Sequence, residues 1–260
     1  MKISIVIPVY NSSQILPSLL KNINSQLAKF SEKLEVVLVN DFSLDDSWKE
    51  IKKLKENYNF IKGINLKKNY GQHSAIFCGL KKSNGDKIVC MDDDMQHDPK
   101  YILDMIKQLD NFDVCYVKYE KREHNYIKIL VSKLNNIVSS FLMNKSINIY
   151  TSSFKCFDKN IKNKIIENNE NFIFLDYWIF KYTNKITFIN VKHNRRLSGK
   201  TNYGFKELLT LWSKMIFLLD FKNKGLKSLL VKIIKAFFII FLRDYVGYKK
   251  DSTIEIVEII

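Results

Sequence analysis

Short runs of apolar, mostly β-branched residues recur through the first half of the chain, at Ile3–Pro8, Leu34–Val39, Ile61–Leu66, Lys87–Met91 and Val114–Val117. A strand with one wet face alternates apolar and polar side chains, so unbroken apolar runs of this length point to strands covered on both faces. Between them the spacing turns helical, over Ile15–Leu27, Trp48–Tyr58, His73–Lys81 and Tyr101–Leu109. Asp98-Pro99 opens the last of these with a capping carboxylate and a residue whose missing N–H costs nothing in a first turn. Strand–helix alternation at this spacing predicts an α/β fold with a doubly wound, mostly parallel, Rossmann-like sheet. Ligands of such sheets bind at the carboxyl ends of the strands, and every chemically suggestive residue of this half falls at such an end.

The second half is less regular. The pattern predicts a helix over Ile127–Leu142, a strand over Ile147–Phe157, a helix near Phe174–Tyr182 and a strand over Ile186–His193. From Phe205 onward it is helical almost to the end, and no linker or internal repeat divides the 260 residues. One catalytic domain over 1–205 and an amphipathic helical tail over 206–260 follow.

A formal charge of +15 admits a polyanion partner. Lys supplies nearly all of it, however, and the only Arg residues are Arg122, Arg195, Arg196 and Arg243. Zinc-finger spacing, aromatic RNA-binding motifs and a helix-turn-helix pattern are all missing, so no nucleic-acid partner is expected. Phosphorylated substrates or an anionic membrane surface explain the charge more simply. Cys78, Cys90, Cys115 and Cys156 form no CxxC pair and fit buried thiols in a reducing cytoplasm. The apolar N-terminus, MKISIVIPVY, is too short for a signal peptide and reads as a strand.

The Lys87–Met91 run is followed by Asp92-Asp93-Asp94-Met95-Gln96. In an extended segment side chains two apart share a face, so Asp92, Asp94 and Gln96 point together and Asp93 points elsewhere. Three oxygen donors on one face make half a site for Mg²⁺ or Mn²⁺, completed by waters and substrate phosphate. A solvated acidic turn capping the next helix is the alternative, although Asp98 alone serves as that cap. Neighbouring carboxylates repel, so something cationic is expected to compensate them. Far downstream, Arg195-Arg196 stands out in a chain that uses Lys elsewhere. A guanidinium fork binds phosphate bidentately, Gly199 permits close backbone approach, and Lys200 and Thr201 add donors. An ordinary basic loop is the alternative reading of this stretch.

Five segments, PVYN at Pro8–Asn11, VNDFSLDDS at Val39–Ser47, LKKNYGQHSAIFCGL at Leu66–Leu80, NGDKIVCMDDDMQHDP at Asn84–Pro99 and RLSGKTNY at Arg196–Tyr203, together resemble family 2 glycosyltransferases in order and spacing. The likeness is closest to the dolichol-phosphate mannose synthase and bacterial polyprenyl-phosphate glycosyltransferase branch. It covers about residues 1 to 220, the size of one catalytic domain. The resemblance implies a GT-A fold and inverting, metal-dependent transfer from a nucleotide diphosphate sugar. It implies that Pro8, Tyr10 and Asn11 lie against the nucleotide and that Asp41 contacts its base or ribose. Asn69, Tyr70 and Gly71 match an Asn-aromatic-Gly segment on the nucleotide, and Asp92 and Asp94 match the DxD pair, with Gln96 as an additional metal ligand. Asp94 and Arg196 then serve catalysis, and Arg195, Gly199, Lys200 and Thr201 hold phosphate. Ser12 stands where the family's acidic residue follows PxYN. For Asp41 a helix N-terminal acid that satisfies backbone donors remains an alternative. No GxGxxG follows the first strand, which counts against a nicotinamide enzyme.

In the tail, Leu208–Phe221 is strongly apolar and Leu226–Leu242 carries Lys227, Lys232 and Lys235 on one helical arc. The uninterrupted apolar run is far short of the roughly 20 residues that cross a bilayer. Such a helix lies in the interface of a membrane, or packs equally well on the catalytic domain or a second subunit of a homo-oligomer. A peripheral protein at the cytoplasmic face of the cell membrane is therefore expected.

The acceptor decides the chemistry. A polyprenyl phosphate is already ionised and needs only positioning and charge stabilisation. A sugar hydroxyl of a glycan, as in cell-surface polysaccharide synthesis, needs a base. Asp176, in the aromatic setting FLDYW, is the candidate base, or a solvated residue on an otherwise buried helix. The polyprenyl phosphate is the favoured reading, and a non-catalytic nucleotide-sugar or polyanion-binding protein the distant one.

Overall fold

The structure, a computed structural model, describes residues 1–119, 136–137, 139–140, 143, 145–167, 174–191 and 254–260. At its centre lie β1 (Ile3–Val9) and β2 (Leu34–Asn40), whose sequences ISIVIPV and LEVVLVN are buried at every position. With β3 (Ile61–Leu66), β4 (Lys87–Cys90), β5 (Val114–Tyr119), β6 (Lys155–Asp158), β7 (Ile186–Val191) and β8 (Ile256–Ile259) they form one eight-stranded sheet, ordered β7-β5-β6-β4-β1-β2-β3-β8. β1 runs parallel to β2 and β4, β2 to β3, and β5 to β7. β6 is antiparallel to both β4 and β5, and β8 is antiparallel to β3. The carboxyl ends of β1 to β5 and of β7 therefore share one edge, where the amino end of β6 also lies.

Both faces of the sheet are covered. Alternate residues of β1 (Ile3, Ile5, Ile7, Val9) meet α1 (Leu16–Leu27), α2 (Ser47–Asn57) and α4 (Ile102–Gln108). The opposite face, with Val6, Val37, Val39 and Ile64, meets α3 (Gln72–Lys82), α5 (Lys159–Ile166) and α6 (Leu175–Tyr182). α1 begins with no side-chain cap, a deficit of about 1 kcal/mol. Five buried side chains at helical spacing, Leu16, Leu19, Leu20, Ile23 and Leu27, each bring roughly 1.5–3 kcal/mol and decide the matter. α3 lies unusually close to the sheet because Gly79 faces it. A Cβ there would stand 2.4 Å from Val6 Cγ1 and 3.1 Å from Val39 Cγ2.

Two expectations change. The strand expected over Ile147–Phe157 starts only at Lys155, in register with Cys90. Ahead of it the chain turns, and the Ile147 and Ile149 carbonyls accept from Asn136 Nδ2 (2.7 Å) and Lys145 Nζ (2.6 Å) rather than from a neighbouring strand. The sheet is mostly parallel, as expected, with β6 and β8 entering it antiparallel. The helical tail expected over 206–260 does not run to its end, since β8 joins the edge of the sheet beside β3. Ile256, Val257, Glu258 and Ile259 alternate in exposure as an edge strand does, and Gly63 and Ile260 exchange backbone bonds of 3.0 and 2.9 Å. The rest of the tail, 206–253, and most of the Ile127–Leu142 helix lie outside the described residues. Among the described residues no helix is long and apolar enough to cross a membrane.

Candidate active site

Four loops leave the carboxyl edge, and polar contacts knit them together. Val9 and Asn40 are the last residues in register between β1 and β2. Just beyond, the Asp41 amide donates to the Val9 carbonyl at 2.9 Å. Asn11 sits at φ 55°, a conformation Asn tolerates better than most residues. Its amide donates to Ser43 Oγ (3.0 Å), and its side-chain oxygen accepts from the Leu44 amide (2.8 Å). The Ser12 amide reaches Ser47 Oγ (2.9 Å) and the Ser13 amide reaches Asp45 Oδ2 (3.0 Å). Tyr10 is exposed on this surface, whereas Pro8 is buried inside β1.

Asp41 is buried, and its two oxygens accept from the Tyr70 amide (2.7 Å) and the Gly71 amide (2.8 Å). Burial pushes its carboxyl above the usual range, more than those two donors pull it down. The acid therefore satisfies backbone donors at the start of a helix, that of α3. Each oxygen accepts one backbone donor and keeps a second lone pair. Gly71, at φ 88° with open space where a Cβ would stand, makes that turn feasible. Asn69 is exposed on the same turn, and Tyr70 Oη accepts from the Glu255 amide at 3.0 Å, which ties β8 to this loop.

The acidic cluster does not continue β4 in extended form. The strand ends at Cys90, and Met95 turns at φ 64°. Asp92 and Asp93 nonetheless diverge as the sequence predicts. Asp92 Oδ1 accepts from Gln72 Nε2 (2.6 Å) and its Oδ2 from Ser153 Oγ (2.7 Å). Its amide donates to His97 Nδ1 (2.9 Å), which leaves the neutral ring's proton on Nε2, 3.4 Å from Ser153 Oγ. His97 is buried and stacked on Phe154 at 5.0 Å. Asp93 Oδ2 accepts from Ser12 Oγ (2.6 Å) and from the Tyr10 amide (3.2 Å). Burial pushes Asp93 up to about 6; Ser12 and Tyr10 pull it down, and the Asp92 and Asp94 charges add to the rise. Asp94 is buried, with Oδ1 accepting from the Gln96 amide at 3.1 Å. Among the described residues no three His, Cys, Asp or Glu side chains converge as a ready-made metal cluster. What the loop offers is oxygen donors from Asp92, Asp94 and Gln96.

Asp176 opens α6 and is buried, which overturns its reading as a solvated residue. Its Oδ1 accepts from Tyr116 Oη (2.7 Å) and is ion-paired with Lys155, equally buried. Burial and the Asp176 charge push the Tyr116 phenol well above its usual range. Lys145, held by Asn136 Oδ1, Ser140 Oγ and the Ile149 carbonyl, is pulled down to about 8 by burial, against the Asp176 charge. Arg195, Arg196, Gly199, Lys200 and Thr201 lie outside the described residues; β7 brings the chain to the carboxyl edge at Val191.

Gln72, Ser153 and Lys155 are site residues that sequence reasoning missed. Gln72 and His97 stand inside recognisable motifs, but nothing in SSFK marks Ser153 or Lys155. They reach the site only because β6 enters antiparallel beside β4.

Residues 4–166 match the family described as Glycosyl transferase family 2. The chain is similar to the undecaprenyl-phosphate 4-deoxy-4-formamido-L-arabinose transferase of Photorhabdus laumondii, with 30% identity over 212 residues covering 81% of this chain and 65% of the relative. The protein of that name from Salmonella choleraesuis is 29% identical over 235 residues, covering 90% and 72%. The chain thus spans 65–72% of the length of these relatives. Among solved structures, glucosyl-3-phosphoglycerate synthase of Mycobacterium tuberculosis superposes with TM-score 0.63 at 13% identity, over 86% of this chain and 82% of that one. The mannosyltransferase PcManGT of Pyrobaculum calidifontis, in complex with GDP-Man and Mn²⁺, gives 0.59 at 12% identity, over 95% and 72%. These structural likenesses speak to the fold alone, and the shared architecture is GT-A. The family match extends over more than half of the sequence, from β1 through the acidic cluster to α5, and the chain belongs to glycosyl transferase family 2.

Proposed function

We propose that this chain transfers a sugar, with inversion, from a nucleoside diphosphate sugar to a polyprenyl phosphate. The observation that carries the reading is the fixed acidic loop at the end of β4, with Asp92 gripped by Gln72 and Ser153 and Asp94 beside it. Hard oxygen donors of this kind suit a small divalent cation. Asp92, Asp94 and Gln96 would hold Mg²⁺ or Mn²⁺, which when bound neutralises a diphosphate leaving group. The Tyr10–Asn11 loop and the Asn69–Gly71 turn, held by Asp41, bind the nucleoside. Arg196, with Arg195, Gly199, Lys200 and Thr201, holds the acceptor or leaving phosphate.

The surroundings of Asp176 support a phosphate acceptor over a hydroxyl one. A general base must take up a proton, and this carboxylate is already matched by the Lys155 ammonium and the Tyr116 phenol. An ionised phosphate oxygen asks for no base. The similar proteins of Photorhabdus laumondii and Salmonella choleraesuis, which are undecaprenyl-phosphate sugar transferases, favour the same acceptor. A lipid-linked acceptor places the protein at the cytoplasmic face of a membrane, with the basic stretch around Lys227, Lys232 and Lys235 against anionic lipid.

The test is to incubate the protein with Mn²⁺, a panel of UDP, GDP and dTDP sugars, and either undecaprenyl phosphate or a glycan primer. A lipid-linked monosaccharide is the expected product. Product on the primer alone overturns the acceptor reading.

A further inference from the structure

We propose that Phe42, together with Tyr10, forms the aromatic platform on which the donor's nucleobase stacks, an inference that rests on the nucleoside diphosphate reading above. Phe42 adopts φ 60°, in the left-handed region that a bulky side chain avoids. A residue held there costs stability and persists only where its surroundings over-determine it. The turn is indeed over-determined, but not by the ring. Asn40 Oδ1 accepts from both the amide and the hydroxyl of Ser43 (3.3 and 2.5 Å). The Asp41 amide is held by the Val9 carbonyl, and the Leu44 amide by Asn11 Oδ1 (2.9 and 2.8 Å). Gly or Asn would fit the same turn with less strain. Phe42 is also 47% exposed and belongs to neither core layer. A strained position thus carries a large apolar side chain outside both core layers.

Its place on the edge identifies the ligand. Asp92 stands at the end of β4, Tyr10 at the end of β1 and Phe42 just past the end of β2, on three adjacent strands. Two strand spacings come to about 10 Å. A diphosphate near Asp92 and Asp94 that runs along this edge carries its base, one phosphate and one ribose further on, towards Tyr10 and Phe42. Tyr10 is 41% exposed and Leu44, beyond Phe42, is 78% exposed, so large apolar side chains reach solvent past the ends of both β1 and β2. Nucleobases stack on such rings whatever their hydrogen-bonding edge.

Binding of UDP, GDP, CDP and dTDP, and of inorganic pyrophosphate, is measured by calorimetry with Mn²⁺ for the parent, Phe42→Asn, Phe42→Gly and Phe42→Tyr. In the Asn and Gly variants the tightest nucleoside diphosphate is expected to bind about tenfold more weakly, or about 1.4 kcal/mol. Pyrophosphate binding stays unchanged, and the Tyr variant retains the parent's affinity. The Asn variant is expected to melt about 2–4 °C higher as strain is relieved. Equal nucleoside diphosphate affinity in the parent and the Asn variant overturns the role of Phe42 and leaves the donor reading standing. An equal loss for pyrophosphate, or a lowered melting point in both the Asn and Gly variants, overturns it too, since the ring would then support the loop. No nucleoside diphosphate binding by the parent overturns the donor reading and this inference with it.

Discussion

Lys155 and Asp176 allow acid–base chemistry to be separated from architecture. Their side chains are almost wholly buried and paired with each other, and Tyr116 Oη is a second donor to the carboxylate. Removing one member of such a pair leaves an uncompensated charge in low dielectric, at a cost of about 3–5 kcal/mol. In Lys155→Met the Tyr116 bond survives, so a loss near 3 kcal/mol is expected. At about 2–4 °C per kcal/mol for a chain of this size, the melting point falls by about 6–12 °C. In Asp176→Asn the ammonium loses its counter-charge and keeps a neutral amide oxygen and the Tyr116 ring, 5.2 Å away, and the loss is of similar size. The double variant Lys155→Met/Asp176→Asn removes both charges, leaves the Tyr116 phenol an acceptor, and should be more stable than either single variant, because no buried charge is left unpaired. Urea denaturation of the four proteins gives the coupling energy directly. Turnover is then measured well below every melting point. With a phosphate acceptor, folded Asp176→Asn should transfer at nearly the parent rate. If Asp176 were the base, kcat would drop by roughly two to four orders of magnitude. Single variants as stable as the double would refute the buried-pair argument, and such a drop in kcat would refute the acceptor argument.

Three further outcomes are expected. Asp92→Asn and Asp94→Asn should each abolish Mn²⁺ binding in the presence of nucleoside diphosphate while the melting point stays within a few degrees, and unchanged calorimetric titrations in both would remove them as metal ligands. Arg196→Lys should lower kcat/KM well beyond a conservative exchange, because an ammonium cannot form a bidentate fork on phosphate; near-parental turnover would make Arg196 a surface charge. Lys145, pulled down to about 8 by burial, titrates at about 10.4 in an unfolded chain. The unfolded state therefore holds more protons between these values, and stability should rise with pH from about 8 to about 10.4. Denaturation midpoints across that window should lose this rise in Lys145→Met, and a parent curve that is flat there would contradict the burial of Lys145.

The strand–helix order from Ile3 to Val117 was legible because each element carries its own apolar period and its own breaks. β1 and β2 are buried at all seven of their positions, as unbroken apolar runs imply. What sequence could not convey was pairing at a distance. Nothing local in TSSFKCF reveals that Lys155 aligns with Cys90, and that register alone brings Ser153 to Asp92 and Lys155 to Asp176. β8 was different. Its short β-branched run, Ile256, Val257 and Ile259, is a strand signal in plain view, overshadowed by the long helical pattern before it. Asp41 carries a structural role that its motif does not spell out, since both its oxygens accept from backbone donors of the Asn69–Gly71 turn.

The three consecutive carboxylates show how the chain tolerates its own charge. Repulsion suggested a cationic neighbour, yet the contacts of Asp92 and Asp93 are neutral donors: Gln72, Ser153, Ser12 and the Tyr10 amide. Asp92 and Asp93 are turned to different loops, and burial raises the Asp93 carboxyl to about 6. This arrangement also explains Ser12, the one clear departure from the family's PxYN-acid pattern. Ser12 Oγ lies 2.6 Å from Asp93 Oδ2. An acid at position 12 would set a fourth carboxylate against that oxygen, where like charges shift each other strongly and neither gains a donor. A hydroxyl supplies the proton the contact needs. Ser12 and Asp93 thus act as a matched pair, with the acid carried on the β4 loop and the donor on the β1 loop. The bond joins the loop after β1 to the acidic loop after β4, so the two move as one.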